Sequence, residues 1–409
     1  MLTCKPSFKI QSSLAISSSL ESYTISLRRE LHKIAEPSWR EEKTLALISI
    51  ELDKISKESI YPTYITTGKG GIWVDLIVDD HLPFILFRSD IDALPIKEET
   101  NLSFSSIHDG YMHACGHDCH AAMLLTSFKA IASGLIFPKS NIRFVFQRAE
   151  ECGENPSGGS ILVEEGVLKN IDFVYALHIS STLDSNVFYS RKDLMMANSS
   201  YIEFEINCSG GHVMRPDLGS NAISLMTDIL THLKGFEKLF FPPNEPIVFI
   251  PSIATAGGKS NIRPNTAYFC YAIRNFLSQA KREEFIHAIE QKVETITKLY
   301  PSAKLSNFKV NPGYPALYNN SESYKFVESA LREELFQTAP SPILFSGEDF
   351  AYYLKETPGS FWLLGAKQSP MHDHHTSKFN PDESTLKTGV AFWLTLAQKA
   401  ISRPTYHVL

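Results

Sequence analysis

The segment "MHACGHDCHAAMLL" (112–125) concentrates residue types that bind metals or act as nucleophiles. Cys115 and His117 precede an apolar helical run, in a stretch irregular enough to aim two side chains at one point. A helix N-terminus behind them would favour the thiolate form of the cysteine. From this segment alone, a metal site and a buried cysteine beside a helix-capping histidine remain equal alternatives.

A second segment, "FVFQRAEECGENPSGG", ends an alternating strand in the adjacent carboxylates Glu150 and Glu151. Neighbouring residues at a strand end point in different directions, so one carboxylate can bind a metal while the other remains a general base. His178 closes the later strand "DFVYALH". These strand ends belong to one predicted α/β sheet, and open sheets gather ligands there, so the pattern favours a metal site.

More histidines follow near the end of the chain, where "SPMHDHHTSKFNPDE" supplies His372, His374 and His375. Two divalent ions would bring about four positive charges. One thiolate and one carboxylate would neutralise two of these charges and neutral imidazoles none, so about two positive charges would remain. The surplus would attract an anionic substrate and lower the pKa of a bridging water. A free glutamate could then move the water's proton to a leaving nitrogen, which predicts hydrolysis.

The elements that must position these residues alternate between strands and helices, which predicts an α/β fold with a central mixed sheet flanked by helices. Residues 71–80 and 83–96 read as two strands joined as a hairpin. From 198 to 311 the order becomes strand, helix, strand, strand, helix, strand, a complete ferredoxin-like α+β unit. We therefore predict a catalytic domain of residues 1–197 and 312–409, interrupted by an inserted domain of residues 198–311.

The composition of the chain argues against binding to nucleic acid or insertion into a membrane. The 409 residues carry a formal net charge of −6 with 21% charged residues, so there is no basic excess for nucleic acid. No apolar stretch reaches the length of a membrane span. With neither a nucleic acid nor a membrane indicated, a small molecule is the expected substrate. Six scattered cysteines and a Ser-rich N-terminal segment without a continuous apolar region predict a cytoplasmic protein.

Several ordered motifs resemble the metal-dependent amidohydrolases of the peptidase M20 group, in the branch of aminoacylases, hippurate hydrolases and indoleacetyl-amino-acid hydrolases. The matching motifs include "RSDIDALPIKEET", "MHACGHDCHAAML", "FQRAEECGENPSGG", "CSGGHVMRP", "GGKSNIRPNTA", "SGEDFAYYL" and "HTSKFNPDE". The resemblance implies two divalent ions per subunit, zinc, manganese, cobalt or nickel, with Glu150 as general base. The metal ligands that it implies are Cys115, His117, Glu151, His178 and His375.

The resemblance assigns the last ligand by position, because His375 stands four residues before Phe379. His374 and His372 remain alternatives. It also implies that Asp92 fixes the tautomer of a ligand histidine. Within the opening segment it leaves His113, Cys119 and His120 to local structure.

The inserted domain has implied roles of its own. His212 would reach the active site of the partner in a homodimer formed through this lid domain, and would steady the oxyanion there. Asn261 and Arg274 would hold the substrate carboxylate or acyl group. Residues 213–215 differ from the small residues that the family more often has, so we expect a different contact with substrate.

The expected activity is hydrolysis of the amide bond of an N-acyl amino acid. An N-acetyl-diaminopimelate deacetylase or a dipeptidase-like enzyme is the alternative on the same scaffold. A thiol hydrolase with Cys115 as nucleophile and His117 as base is a further alternative, although two residues on one loop make a poor pair. An idle metal-binding or peptide-binding module is the alternative outside the enzymes.

Overall fold

The computed structural model describes residues 16–153 and 156–401. Residues 1–15, on which the prediction of a cytoplasmic protein partly depends, lie outside the described residues. The described residues form two compact units. The larger unit contains those up to Met195, Tyr318–Pro342 and those from Asp349 onward; the inserted unit contains Met196–Leu317 and Ile343–Glu348.

Ten α-helices occur among the described residues: α1 (Ser18–Lys33), α2 (Glu42–Lys57), α3 (His117–Ala132), α4 (Gly158–Glu164), α5 (Ala222–Leu233), α6 (Glu237–Phe240), α7 (Gln279–Thr297), α8 (Ser321–Glu333), α9 (Ala351–Glu356) and α10 (Leu386–Gln398). The strands are β1 (Thr63–Thr67), β2 (Gly71–Leu76), β3 (Phe84–Asp90), β4 (Asn141–Gln147), β5 (Phe173–Ser180), β6 (Val187–Ser190), β7 (Asp193–Met196), β8 (Asn198–Asn207), β9 (Gly211–His212), β10 (Val248–Ala256), β11 (Ile262–Arg263), β12 (Thr266–Asn275), β13 (Lys304–Tyr314), β14 (Leu317–Asn319), β15 (Gln337–Pro340) and β16 (Gly359–Gly365).

An eight-stranded sheet runs through the larger unit in the order β1-β2-β4-β3-β5-β16-β6-β15. It is mixed, because β3 pairs in parallel with β4 and β5 while β2 pairs antiparallel with β4. Helix α3 packs against β3 and against α1, α2 and α10, and all of its residues except Lys129 are buried. A helix that is apolar on most sides requires this central position. The predicted mixed sheet flanked by helices is confirmed.

The predicted hairpin of residues 71–80 and 83–96 is wrong. The two strands form as β2 and β3, but β4 lies between them and pairs with both. β3 is buried along almost its whole length, which suits a strand in the middle of a sheet covered on both faces. Burial of β3 on both faces therefore outweighs the short polar connection that favoured direct pairing.

The inserted unit has a four-stranded antiparallel sheet in the order β10-β12-β8-β13. Helices α5 and α7 pack on this sheet around a core that includes Phe204, Phe269 and Phe285. The element order β8-α5-β10-β12-α7-β13 is the predicted ferredoxin-like arrangement. β9 and β11 form a separate two-stranded ribbon, in which His212 lies opposite Ile262. Within the ranges described, no helix is both long and apolar enough to cross a membrane.

Candidate metal centre

The carboxyl ends of three parallel strands gather the candidate ligands. β3 ends at Asp90, β4 ends at Gln147 shortly before Glu150, and His178 lies near the end of β5. The chain enters α3 at the same edge through Gly116, whose φ is 91°. A Cβ atom on Gly116 would lie 2.4 Å from the side chain of Ile179, so glycine is needed for the turn between the two candidate ligands on either side of it.

His117 is fully buried and is oriented by a carboxylate. Its Nδ1 lies 3.1 Å from Oδ1 of Asp92, so in the neutral ring Nδ1 carries the proton and Nε2 keeps its lone pair. Nε2 has no hydrogen-bond partner within the described ranges and lies 3.7 Å from Oδ2 of Asp90 and 3.9 Å from Oε1 of Glu151. Asp92 thus has the contact that its predicted role requires.

The electrostatic field around His117 favours positive charge. Burial alone would lower the pKa of its imidazole, but Asp90, Asp92 and Glu151 outweigh burial and raise that pKa to about 10. A cation bound at Nε2 would satisfy the same carboxylates that stabilise the proton.

His178 also presents one free nitrogen. Its Nδ1 donates to the carbonyl oxygen of Ile179 at 2.6 Å, which leaves Nε2 as the unprotonated atom. That Nε2 lies 3.5 Å from Sγ of Cys115. A thiol and an imidazole nitrogen therefore converge from two different segments of the chain.

Glu151 and His375 meet at the other side of the cluster. Nε2 of His375 lies 3.1 Å from Oε1 of Glu151, and the backbone N–H of His375 donates to the carbonyl of Ala114 at 2.9 Å. His374 faces elsewhere, because its Nε2 accepts the backbone N–H of Ser181 at 3.1 Å. The contacts thus favour His375 over His374 as the metal ligand.

The ligand-type atoms form overlapping groups in which all atoms lie within 4.8 Å of one another. In the described larger unit, the groups that fit a metal ion are Asp90, His117, His120 and His178; Cys115, Glu151 and His375; and His117, Glu150 and Glu151. The structure therefore brings together all five predicted ligands and the predicted base.

The donor set fits divalent metal ions. It combines thiol, imidazole and carboxylate groups, which suit zinc and its first-row neighbours. One of its buried atoms, Nε2 of His117, has no hydrogen-bond partner among the described residues. Buried polar atoms without partners are rare, and a cation would satisfy this one.

Cys115 is poorly suited to act as a free nucleophile. Desolvation and the negative charges of Glu151 and Glu150 raise the pKa of its thiol well above the usual range. The thiol alone therefore stays protonated at neutral pH, whereas a metal cation would stabilise the thiolate. This electrostatic setting weighs against the thiol-hydrolase hypothesis.

A buried chain of charges behind the cluster was missed by the sequence reasoning. Nδ1 of His120 lies 2.6 Å from Oδ1 of Asp90, whose Oδ2 accepts a hydrogen bond from Arg88 at 2.7 Å. Nη1 of Arg88 makes the bond to Asp90, and its Nη2 donates to Oδ1 of Asp349 at 2.8 Å. The sequence signal for this chain of charges was the pair of charges Arg88 and Asp90, which end a strand that is apolar up to Phe87.

The structure gives His120 and His113 different surroundings, and His120 is also a member of the group with Asp90, His117 and His178. Nε2 of His120 accepts the backbone N–H of Ile179 at 2.9 Å, so both of its ring nitrogens are occupied. His113 is buried, and burial lowers its pKa to about 4. His113 belongs to none of the metal-type groups in the described part of the chain.

In the inserted unit, His212 is exposed and its Nδ1 accepts the backbone N–H of Met214 at 3.1 Å. The neutral ring therefore carries its proton on Nε2, which can donate outward. Arg274 donates to the hydroxyl of Tyr201 at 2.7 Å and lies 4.8 Å from the centre of that ring. The backbone carbonyl of Asn261 accepts a hydrogen bond from the backbone N–H of Val213 at 3.5 Å.

The fold and the site together define a hydrolase with an inserted ferredoxin-like unit and a cluster of metal-type ligands. Residues 86–399 match the model of Peptidase family M20/M25/M40, and the chain belongs to this family. It is a hydrolase that acts on amide bonds.

Two relatives and one solved structure illustrate the similarity. Thermostable carboxypeptidase 1 of Saccharolobus solfataricus is 30% identical over 383 residues, covering 93% of this chain and 96% of the relative. N-acetyl-L-cysteine deacetylase of Bacillus subtilis is 31% identical over 371 residues, covering 90% of this chain and 86% of the relative. The crystal structure of a dinuclear metal-binding M20 peptidase of Bacillus subtilis superimposes with a TM-score of 0.78 at 26% identity, covering 93% of this chain and 98% of that one.

Proposed function

We propose that the protein hydrolyses the amide bond of an N-acyl amino acid and releases a carboxylic acid and the free amino acid. The observation that carries this proposal is the position of Glu150 beside His117 and Glu151, within 4.8 Å in one group. The carboxypeptidase and the deacetylase among the relatives differ in the acyl part of their substrates. In both cases the amine that leaves is an amino acid, which supports this substrate class.

Five side chains would hold two divalent cations of zinc, manganese, cobalt or nickel: Cys115, His117, Glu151, His178 and His375. When bound, such cations polarise the scissile carbonyl and lower the pKa of the attacking water. Asp92 and the carbonyl of Ile179 hold the Nδ1 protons of His117 and His178, so that both Nε2 atoms face the cluster. The orientation of the ligands is thus built into the chain.

Glu150 would act as the general base and then as the general acid. Its side chain is largely buried, with the residue 7% exposed, so it works away from bulk water. It takes one proton from the attacking water while the new C–O bond forms. It then gives that proton to the amide nitrogen as the C–N bond breaks, so the free amine leaves and Glu150 is regenerated.

The inserted unit would complete the site across a homodimer. The edge strand β10 exposes Ile250 and Ile253, and such an edge can pair with a second copy of the chain. The Nε2 proton of His212 would then donate to the oxyanion in the partner's site. Arg274 and Asn261 would hold the substrate carboxylate or acyl group, with Arg274 fixed in position by Tyr201.

We also propose a cytoplasmic location. Cys115, Cys119, Cys208 and Cys270 form no disulfide within the described residues, which suits a reducing compartment. Cell fractionation tests this, and recovery from an extracellular or oxidising compartment would contradict it.

The substitution Glu150→Gln tests the general base. We expect amide hydrolysis to fall by about 100-fold to 10,000-fold, the usual contribution of general acid–base catalysis. Metal content and melting temperature should remain at the wild-type level, as they should in Glu164→Gln, an exposed control on α4. A Glu150→Gln variant that keeps wild-type turnover would overturn the mechanism, and one that loses its metal would make Glu150 a ligand instead.

The substrate class is tested with a panel of N-acetyl, N-benzoyl and longer N-acyl amino acids, dipeptides and N-acetyl-diaminopimelate, each assayed with zinc, manganese, cobalt and nickel. We expect turnover of N-acyl amino acids with a free α-carboxylate and little turnover of their methyl esters. Dipeptides or N-acetyl-diaminopimelate as the best substrates would replace the proposal with the matching alternative. No turnover of any substrate would favour a binding module.

Mixing two inactive variants tests the role of His212 across the dimer. In a mixed dimer of Glu150→Gln and His212→Ala subunits, one site of the two has both an intact base and an intact histidine from the other chain. Random exchange should restore about one quarter of wild-type activity. No restoration, in a sample shown to contain mixed dimers, would mean that His212 does not act on the partner.

A further inference from the structure

The segment that carries His212 has few packing contacts of its own. All residues from Gly211 to Gly219 are exposed. Gly210, Gly211 and Gly219 have φ values of 62°, 127° and 88°, which only glycine adopts readily. Because neither apolar burial nor regular structure fixes most of this segment, something else must hold its shape.

The side chain of Arg263 lies inside this segment. Arg263 is 7% exposed, and its Nη2 donates to the carbonyls of Gly210 at 2.9 Å and Leu218 at 2.5 Å. Its Nη1 donates to the carbonyl of Gly219 at 2.9 Å, with a longer contact of 3.4 Å to Pro216. One guanidinium therefore ties together both ends of residues 210–219.

Backbone pairing places Arg263 and His212 side by side. In the β9–β11 ribbon, Arg263 lies opposite Gly211 and Ile262 lies opposite His212. A Cβ atom on Gly211 would lie 2.9 Å from Nη2 of Arg263, so the glycine provides the space that the guanidinium occupies. The imidazole of His212 is then turned by its own hydrogen bond from the N–H of Met214.

The chemistry of these contacts is specific to arginine. Hydrogen bonds from charged donors are stronger than those between neutral groups, and four carbonyl oxygens lie around one planar fork. A lysine ammonium is a point charge with a different donor geometry and cannot reach all four carbonyls at once. The carbonyl dipoles of this segment and the nearby carboxylate of Asp217 stabilise the charge of Arg263.

We propose that Arg263 is a positioning residue that folds residues 210–219 and thereby aims the Nε2–H of His212. This inference rests on the proposed function of His212 as the donor to the oxyanion. Arg263 itself touches neither substrate nor metal in this proposal. It acts through the segment, so its removal should affect kcat more than KM.

The test compares Arg263→Met and Arg263→Lys with Arg332→Met in the full-length dimer. Arg332 is an exposed arginine on α8, outside the inserted unit, that pairs with Glu328, so it controls for the loss of one guanidinium group. We expect hydrogen exchange of residues 210–219 to become faster in both Arg263 variants and to stay unchanged in Arg332→Met. We expect kcat to fall by about 10-fold to 100-fold, with KM, metal content and dimer mass unchanged.

A double variant shows whether the effect passes through His212. His212→Ala combined with Arg263→Met should be no slower than His212→Ala alone, because the lost positioning no longer matters. Unchanged hydrogen exchange in Arg263→Met overturns the inference, as does additive loss in the double variant. If His212→Ala alone leaves kcat unchanged, the proposed function of His212 fails, whereas the exchange experiment still decides whether Arg263 holds the segment.

Discussion

His117 and Asp92 are joined by a 3.1 Å hydrogen bond between Nδ1 and Oδ1, and the same carboxylate also binds a second segment of the site. Its Oδ2 accepts the backbone N–H of Glu151 at 2.9 Å and the hydroxyl of Ser38 at 2.7 Å. One side chain therefore orients a ligand histidine and fixes the backbone of a ligand glutamate.

We predict that Asp92→Asn weakens metal binding by about 10-fold to 100-fold, the usual cost of losing a partner of a ligand histidine. The amide no longer requires the proton to be on Nδ1 of His117, so Nε2 loses part of its basicity. Competition with a chromogenic chelator measures the affinity. Asp53→Asn, an exposed position on α2, should bind metal as the wild type does. Equal affinities for both variants would remove Asp92 from the site.

Asp349 supports the same cluster through Arg88. Its carboxylate is fully buried and accepts hydrogen bonds from Arg88, from the amide of Gln147 and from the backbone N–H of Gly159 at distances of 2.7 to 2.8 Å. We predict that Asp349→Asn destabilises the protein by about 3 kcal/mol, because breaking a buried ion pair leaves a charge without its full compensation. Differential scanning calorimetry should show a melting temperature several degrees lower, whereas Asp80→Asn in an exposed turn should leave it unchanged.

The last metal ligand is tested by two neighbouring substitutions. His375→Asn should lose one of the two cations, because its Nε2 faces Glu151. His374→Asn should keep both cations and lose about 1–2 kcal/mol of stability, since it removes the acceptor for the N–H of Ser181. Elemental analysis of the purified variants separates the two effects. Loss of metal from His374→Asn alone would move the ligand assignment by one residue.

The sequence could nominate candidate ligands because these residues lie in short segments with recognisable spacing, and the resemblance to the M20 group then chose among them. Cys115 and His117 stand one glycine apart at a helix start, and Glu150 and Glu151 directly follow a strand. Parallel pairing of β3, β4 and β5 then brings such strand ends together, as the α/β pattern implies. Local pattern and sheet topology together account for the proximity of these residues, while their role as metal ligands stays a prediction.

Features that depend on distant partners could not be predicted in this way. The sequence predicted a hairpin of β2 and β3, but the sheet inserts β4, which begins 50 residues or more after both strands end. Arg88 and Asp349 are 261 positions apart, so no local pattern could pair them. Arg263 binds backbone carbonyls, which every residue possesses, and its role therefore leaves no trace in the types of its partners.

The pH dependence of stability can be predicted from Glu98. Burial alone would raise its pKa, but hydrogen bonds from His32, Thr100 and the backbone N–H of Ser106 lower it to about 2. Since the pKa in the unfolded chain is higher, at about 4.5, Glu98 stabilises the folded state fully above that pH and loses this effect as the pH falls toward 2. Solvent screening of this partly exposed group reduces its contribution to the free energy of unfolding to about 1–2 kcal/mol.

We therefore expect the difference in melting temperature between wild type and Glu98→Gln to shrink steadily as the pH falls from about 4.5 toward 2, below the range in which its partner His32 titrates. Glu58→Gln, an exposed position at the end of α2, should melt with the wild type at every pH. A difference that grows as the pH falls from 4.5 toward 2 would reverse the sign of the linkage. It would mean that the hydrogen bonds to Glu98 favour its protonated form rather than its carboxylate.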